Sequence, residues 1–278
     1  MKPAYRKDQA FLDDVAAHCG QMGLRLWWLG QSGFLLHFDG AFALLDPYLS
    51  DSLTSKYAGT DKPHVRITER VVDPARLRQI TVVTSSHNHT DHLDAETLNP
   101  LRAANPGLRL VVPEANRRFA AERLNCAADE LTGIVSGQQL ECGPFTIEAL
   151  PAAHEALDTD AEGRHLYLGY VVAAGGYRVY HSGDTVLYEG LAERLRALEP
   201  DIALLPINGS KPERRVAGNL SGNEAAVLAR QAGIDLAIPC HYDMFEFNTA
   251  DPEEEFVPTC KAIGQGYRVL RNGEGVTL

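Results

Sequence analysis

Apolar and polar residues alternate along this chain in short runs that break at glycine, proline and aspartate. Residues 9–17 place Phe11, Leu12 and Val15 on one side of a short helix. Residues 25–29 read as a strand with Trp27 and Trp28 on opposite faces, since side chains alternate across a sheet. Gly30 and Gly33 interrupt it, and residues 34–38 resume the extended pattern. Asp39-Gly40 is a strong two-residue hairpin signal, residues 41–45 form the returning strand, and Asp46-Pro47 closes it.

The second half echoes the first. Residues 167–173 and 177–181 read as strands around a Gly175-Gly176 turn, and the second strand ends at Ser182-Gly183-Asp184-Thr185. Each hairpin delivers an aspartate to the end of its second strand, which points to two similar half-folds around one core. Further strands are expected at 80–84, 108–112, 138–142, 145–150, 201–205 and 235–239. Helices are expected at 93–104, 114–124, 188–197 and 223–232. Strands alternating with helices, combined with antiparallel hairpins, predict an α/β (α+β) architecture: an αββα sandwich of two mixed sheets flanked by helices. The length of 278 residues is compatible with one large domain spanning 1–278. Two stretches, 48–66 and 154–165, have no periodicity and are long enough to be functional loops.

Composition narrows the partners. A net charge of −11 argues against a general nucleic-acid surface or a polybasic membrane anchor, though local cations can still reverse the field inside a pocket. No apolar run reaches the length of a membrane span. The 5 cysteines are scattered without a Cys-x-x-Cys, which reads as free thiols, and residues 1–19 lack the apolar core of a signal peptide. A cytoplasmic location is expected.

The strongest chemical signal follows the strand at 80–84: His87-Asn88-His89-Thr90-Asp91-His92. Neutral imidazole suits zinc and other transition metals, and a carboxylate adds charge for a second cation. If the strand ran on, His87, His89 and Asp91 would share one face and the chain would turn at His92. A histidine-rich surface loop or an affinity-tag-like run is the plain alternative, but a tag would sit at a terminus and would not follow a Val/Ile/Thr strand. His154 should lie at a sheet end because Pro151 marks the strand's exit. Asp184 could bridge two metals through its two oxygens, or merely cap a helix. His241 sits just past the strand at 235–239, with Cys240 read as a core thiol. Asp46 either makes a turn before Pro47 or accepts a hydrogen bond from the free nitrogen of a ligand histidine. His181 is placed among the residues that support the ligands.

The pattern His-x-His-x-Asp-His after a strand resembles the signature of the metallo-β-lactamase-fold hydrolases. That resemblance implies that His87, His89 and His154 hold one divalent metal, Asp91, His92 and His241 hold a second, and Asp184 bridges them. The ions would be zinc or manganese, with iron also compatible with such ligands. A narrower likeness runs through Trp27-Trp28-Leu29-Gly30-Gln31-Ser32-Gly33, Val72-Asp73-Pro74, Arg78-Gln79-Ile80, Tyr180-His181-Ser182-Gly183-Asp184 and Ile238-Pro239-Cys240-His241-Tyr242-Asp243. These segments resemble the ascorbate-6-phosphate lactonase branch, whose members open a phosphorylated sugar lactone and are similar to manganese-dependent, oligomeric enzymes. His154 departs from that branch, which is expected to lack a histidine there.

What the resemblance implies is hydrolysis of a lactone or other ester by a metal-activated water, whose pKa falls from about 15.7 to about 7 at such sites. Asp91 and Asp184 would be the catalytic carboxylates, with Asp91 orienting the nucleophile. A small-molecule substrate, phosphorylated as in that branch, and a homo-oligomer are implied as well. Residues 206–212 resemble the branch's substrate-side loop, so Asn208 and Lys211, with Arg214 and Arg215, are candidates to meet a phosphate, a solvated Lys/Arg cluster being the plain alternative. Tyr242 is either a hydrogen-bond donor at the site or a core residue. The segment from His87 to Asp94 also resembles phospholipase D-type members of the fold, which makes a phosphodiesterase the second reading. A di-iron redox protein or a non-catalytic metal-binding module is the third. The redox relatives carry Glu where this chain has His89, which argues against them.

Overall fold

Trp27 and Trp28 define the layering. The computed structural model describes residues 1–278, and it buries both indoles completely, on opposite sides of one strand. In chain order the first half comprises α1 (Asp8–His18), β1 (Arg25–Gly30), β2 (Gly33–Phe38), β3 (Ala41–Leu45), α2 (Ser52–Tyr57), β4 (Ile80–Thr84), α3 (Ala95–Ala104), β5 (Arg109–Pro113), α4 (Arg117–Leu124) and β6 (Thr132–Ile134). The second comprises β7 (Gln139–Cys142), β8 (Phe145–Pro151), β9 (Leu168–Ala174), β10 (Tyr177–His181), α5 (Leu191–Leu198), β11 (Ile202–Pro206), α6 (Gly222–Ala232), β12 (Leu236–Cys240), α7 (Phe256–Ile263) and β13 (Gly275–Thr277).

The strands form a 7-stranded sheet in the order β13-β1-β2-β3-β4-β5-β6 and a 6-stranded sheet in the order β12-β11-β10-β9-β8-β7. Both sheets are mixed. In the first, β2 and β3 pair antiparallel and β3, β4, β5 and β6 run parallel. In the second, β9 and β10 pair antiparallel and β10, β11 and β12 run parallel. The two hairpins therefore occupy matching places, each leading into parallel strands, as the repeated aspartate-terminated pattern predicts.

Strict alternation sorts side chains between the layers. Leu26, Trp28, Phe34, Leu36, Ala43, Leu45, Val82 and Val111 face the second sheet in a cluster of 44 buried residues. Their neighbours Trp27, Leu29, Leu35, Leu44, Val83, Leu110 and Val112 face outward and pack with Phe11 and Val15 of α1, Leu98 and Leu101 of α3 and Leu124 of α4. Helices α5, α6 and α7 cover the other face of the second sheet through Leu195, Leu228 and Phe256. The result is the expected αββα sandwich. Burying each large apolar side chain contributes roughly 1.5–3 kcal/mol, so a one-residue slip in β1, which exchanges Trp27 and Trp28 between layers, would be strongly disfavoured. No helix is long and apolar enough to cross a membrane. All five cysteines are free, and Cys240 lies in the core as the sequence indicates.

Several boundaries differ from expectation for local reasons. The helix expected from 93 begins at Ala95, because Leu93 N still donates to His89 O (2.8 Å) in a tight turn. The helix expected at 114–124 starts as one 3-10 turn, Glu114–Asn116, before α4. The stretch 48–66 contains α2, so it is not uniformly irregular. The short β6, the α7 helix and β13 were not apparent from periodicity.

Candidate metal centre

The site forms where the strands of both sheets end, and hydrogen bonds between the sheets bring the ends together. Leu168 N donates to Ser86 O (3.0 Å), and His241 N donates to Gln31 O (2.9 Å). Tyr170 Oη donates to Ser85 O (2.9 Å), and His181 Nε2 donates to Ser32 O (2.7 Å). Three non-glycine residues here have left-handed backbones: Gln31 (φ 50°), Asp46 (φ 41°) and His241 (φ 60°). Such conformations cost energy in bulky residues and persist only where surrounding contacts impose them. Gly183 (φ +60°) has no alternative, because a Cβ there would lie 2.6 Å from Ser86 Cβ.

The strand at 80–84 does not run into the histidine motif. It ends at Thr84, and residues 87–93 form bends and a turn closed by His92 N to His89 O (3.2 Å). Period-two alternation is therefore not what aligns His87, His89 and Asp91. The turn splits them: His87 and His89 group with His154, whereas Asp91 and His92 group with His241, the ligand atoms of each trio lying within 4.8 Å of one another. Asp184 stands between the trios. Its Oδ1 lies 3.3 Å from His92 Nε2, and its Oδ2 lies 3.4 Å from His241 Nε2 and 3.7 Å from His154 Nε2. Asp91 Oδ2 lies 3.6 Å from His241 Nε2.

A ring of supporting contacts sets the imidazole orientations. Asp46, fully buried, accepts from His92 Nδ1 (2.6 Å), from Ser86 N (3.0 Å) and from Ser86 Oγ. Ser86 Oγ also lies 2.9 Å from His87 Nδ1, and His154 Nδ1 donates to Gly218 O (2.9 Å). Tying down Nδ1 leaves each Nε2 to face inward, the arrangement by which proteins orient metal-binding histidines. Asp46 also forms a tight trio with His87 and His92. It meets His92 from the Nδ1 side, so it orients rather than joins the inward-facing set.

Charge at the centre is arranged for cations. Burial, with neighbouring imidazoles adding to it, holds His87 well below the usual histidine range. At His92 and His241 burial also disfavours charge but is outweighed by Asp184 and Asp91, raising His92 well above the normal value and His241 to about 9. Against their own desolvation, Asp91 and Asp184 are held below the normal carboxylate range by these imidazoles. His87 Nε2, His92 Nε2 and Asp184 Oδ1 are buried without any hydrogen-bond partner. Buried polar atoms are rarely left so, because an unmade hydrogen bond costs about 1–3 kcal/mol. Imidazole nitrogens and carboxylate oxygens converging with their inner atoms unpaired fit divalent metal binding.

Above this cluster opens a cleft of about 380 Å³, lined by Gln31, His89, Asp91, His154, Asp184 and His241 at its floor. Lys56, Tyr57, Lys62 and His64 from the stretch 48–66 form one wall with Phe245 and Phe247, and Arg215 and Asn219 contribute another. Of the stretch 154–165, only His154 reaches the cleft.

Three residues expected on the substrate side do not line this cleft. Tyr242 is buried, stacks on Trp28 at 4.4 Å and donates its hydroxyl to Leu270 O (2.6 Å), so it belongs to the core. Lys211 lines a separate groove with Ser210 and Glu254. Asn208 is buried behind the cleft wall, its amide engaged with Asn248 and Asn219. His181 makes no hydrogen bond to the clustered side chains but accepts from Gly183 N through Nδ1 (3.3 Å), next to Asp184. Residues that sequence reasoning missed include Gln31, whose Nε2 donates to Asp91 Oδ2 (2.8 Å) and lies 3.0 Å from His241 Nε2. Its signal was the glycine-flanked Gly30-Gln31-Ser32-Gly33 break. Ser86 and Arg123 were also missed. Arg123 Nη1 donates to Asn88 O (2.6 Å) and Leu93 O (3.2 Å), bracing the histidine turn from α4.

A family profile described as "Beta-lactamase superfamily domain" matches residues 43–242. A metal-dependent hydrolase of the UPF0173 group from Opitutus terrae is 31% identical over 261 residues, covering 92% of this chain and 100% of that protein. Among solved structures, Igni18, a metallo hydrolase from the archaeon Ignicoccus hospitalis, superposes with a TM-score of 0.65 at 22% identity, covering 92% of this chain and 99% of its own. An isothiocyanate hydrolase from Delia radicum gut bacteria superposes with a TM-score of 0.70 at 18% identity, covering 91% and 98% respectively.

Proposed function

The chain belongs to the beta-lactamase superfamily and is a metal-dependent hydrolase; on that premise we propose that its substrate is a lactone or another carboxylic ester of a small molecule. The observation that carries the reading is the convergence of His87, His89 and His154 with Asp91, His92 and His241 around the shared carboxylate of Asp184. We assign the first trio to one divalent ion, the second to another, and Asp184 to both. Bound there, such ions would lower the pKa of a water molecule and polarise the oxygen it attacks.

The protein's own residues supply the rest. Asp91, which accepts from Gln31, would orient the attacking water and receive its proton. Asp46 and Ser86 hold His92 and His87, and Gly218 O holds His154, so the inward nitrogens are set before substrate arrives. No serine or cysteine nucleophile is required. Ligands come from both sheets, which supports treating 1–278 as one catalytic domain. The cations Lys56, Lys62 and Arg215 beside the cleft support an anionic substrate, such as a phosphorylated lactone, and are equally suited to a phosphodiester.

A screen of lactones and aryl phosphodiesters, with the metal content of the purified protein measured, tests this reading. Lactone turnover that is lost in His89→Ala and Asp184→Ala together with metal is the expected result. Turnover confined to phosphodiesters would transfer the assignment to the second chemistry, and full activity in either variant would contradict the site.

A further inference from the structure

Arg214, one of the candidates to meet a phosphate, spends its donors inside the protein. Its guanidinium donates to Asn208 O and to Asn248 Oδ1 (3.1 Å) through Nη1, and to Thr249 O (2.8 Å) through Nη2. A guanidinium has donors only, so the atom of Asn248 turned toward it must be the carbonyl oxygen. Asn208 Nδ2 donates to that same oxygen (3.0 Å), and Asn208 Oδ1 in turn accepts from Asn219 Nδ2 (3.1 Å). The arginine thus fixes the orientation of the whole amide row from one end.

The consequence falls on the other half of the Asn248 amide. With its oxygen doubly occupied, its Nδ2 has no protein partner, and Asn248 lines the cleft that holds His89, Asp91, Asp184 and His241. The side chain is held in place, because Asn248 N donates to Phe245 O (3.1 Å) and the residue is 9% exposed. Two donors on one carbonyl, one of them charged, polarise the amide and strengthen its free N–H as a donor.

Resting on the hydrolase reading of this cleft, we propose that Asn248 Nδ2 is a substrate-binding donor to an oxygen beside the scissile bond, and that Arg214 is its positioning residue. The substrate class this selects carries a hydrogen-bond acceptor, such as a carbonyl, hydroxyl or phosphate oxygen, on the side of the cleft nearest Phe247. The segment 206–212 was singled out for direct contact with substrate; instead Asn208 acts at one remove, through Asn248.

Asn248→Asp and Asn248→Leu separate this role from a structural one. The carboxylate of Asn248→Asp still accepts from Arg214 and Asn208 but cannot donate into the cleft. Asn248→Leu carries no charge yet removes the same donor and leaves Arg214 without its side-chain acceptor. The two variants share only the missing donor. On protein as purified, with metal content measured, Tm, kcat/KM on a neutral lactone and equilibrium binding of inorganic phosphate are compared with wild type.

Asn248→Asp is expected to keep its metal and its Tm while kcat/KM falls about tenfold or more, the scale of losing one aimed donor. Phosphate binding should weaken in both variants. Wild-type kcat/KM and phosphate affinity in Asn248→Leu would overturn the proposal, as would losses in Asn248→Asp that merely track a fallen Tm. Should wild type hydrolyse no lactone, the ester reading fails while phosphate binding still decides the role of Asn248.

Discussion

Asp46 shows how much a single residue decides here. It sits at the end of β3 with a left-handed backbone (φ 41°), and no water reaches its carboxylate. One oxygen accepts a hydrogen bond from His92 Nδ1 at 2.6 Å and both are engaged by Ser86. That contact fixes the His92 tautomer and raises its basicity toward the centre, where Asp184 and Asp91 wait within 3.7 Å. Asp46→Asn keeps the size and an oxygen acceptor but removes the charge that, in the proposed metal centre, would make His92 a strong donor ligand. Losing such a partner costs about 10–100-fold in metal affinity. Competition with a chelator of known affinity should show that decrease with the far-UV spectrum unchanged; undiminished affinity would mean that Asp46 serves only the turn.

At the scale of elements, legibility followed locality. The hairpins around Asp39-Gly40 and Gly175-Gly176 and the parallel strands were readable because alternation and turn chemistry lie within a few residues. His154, Asp184 and His241 could be picked out because each follows a recognisable strand end, and folding brings all three to the histidine turn. Their partition was not derivable from strand alternation, since the chain leaves β4 at Thr84 and the turn at His89 replaces it. Contacts distant in sequence left no local trace: β13 pairs Thr277 with Arg25, and the Asn208–Asn219–Asn248 row exists only after folding. The docking of α1 on β1 is of that kind. Asp14 accepts from Trp27 Nε1 (2.7 Å) and Arg25 Nη2 (3.2 Å), with Arg6 at 3.5 Å. Burial would raise its pKa, but the Trp27 hydrogen bond and the two guanidinium groups bring it below the usual value. A depressed carboxylate stabilises the fold above the unfolded pKa of about 3.9, and that contribution disappears as pH falls through the lower folded value. Asp14→Asn should therefore cost about 2 kcal/mol at pH 7 in urea unfolding, and the gap from wild type should narrow below about pH 4. A gap of constant size across that range would rule out the ionised carboxylate as its source.

The whole molecule carries a net charge of −11, yet the charged side chains of its cleft, apart from the centre's Asp91 and Asp184, are Lys56, Lys62, Arg123 and Arg215. An anion approaching from solution meets a repulsive envelope and an attractive mouth. The contrast matters at low salt, because the Debye length is about 30 Å at 0.01 M and about 8 Å at 0.15 M. Lys56 lies on α2, at the wall of the cleft, with its ammonium 5.2 Å from the Tyr57 ring centre. Its charge contributes to the field felt by substrate without belonging to the ligand cluster. For an ester bearing a carboxylate or phosphate, kcat/KM should change with ionic strength far more than for a neutral lactone of the same ring, since only the charged substrate is steered. Lys56→Glu should lower kcat/KM for the charged ester several-fold at 0.01 M, by much less at 0.15 M, and leave the neutral lactone near its wild-type value. Stopped-flow or steady-state rates at the two salt concentrations supply the comparison, and equal losses for both substrates would assign Lys56 to the shape of the wall rather than to its charge.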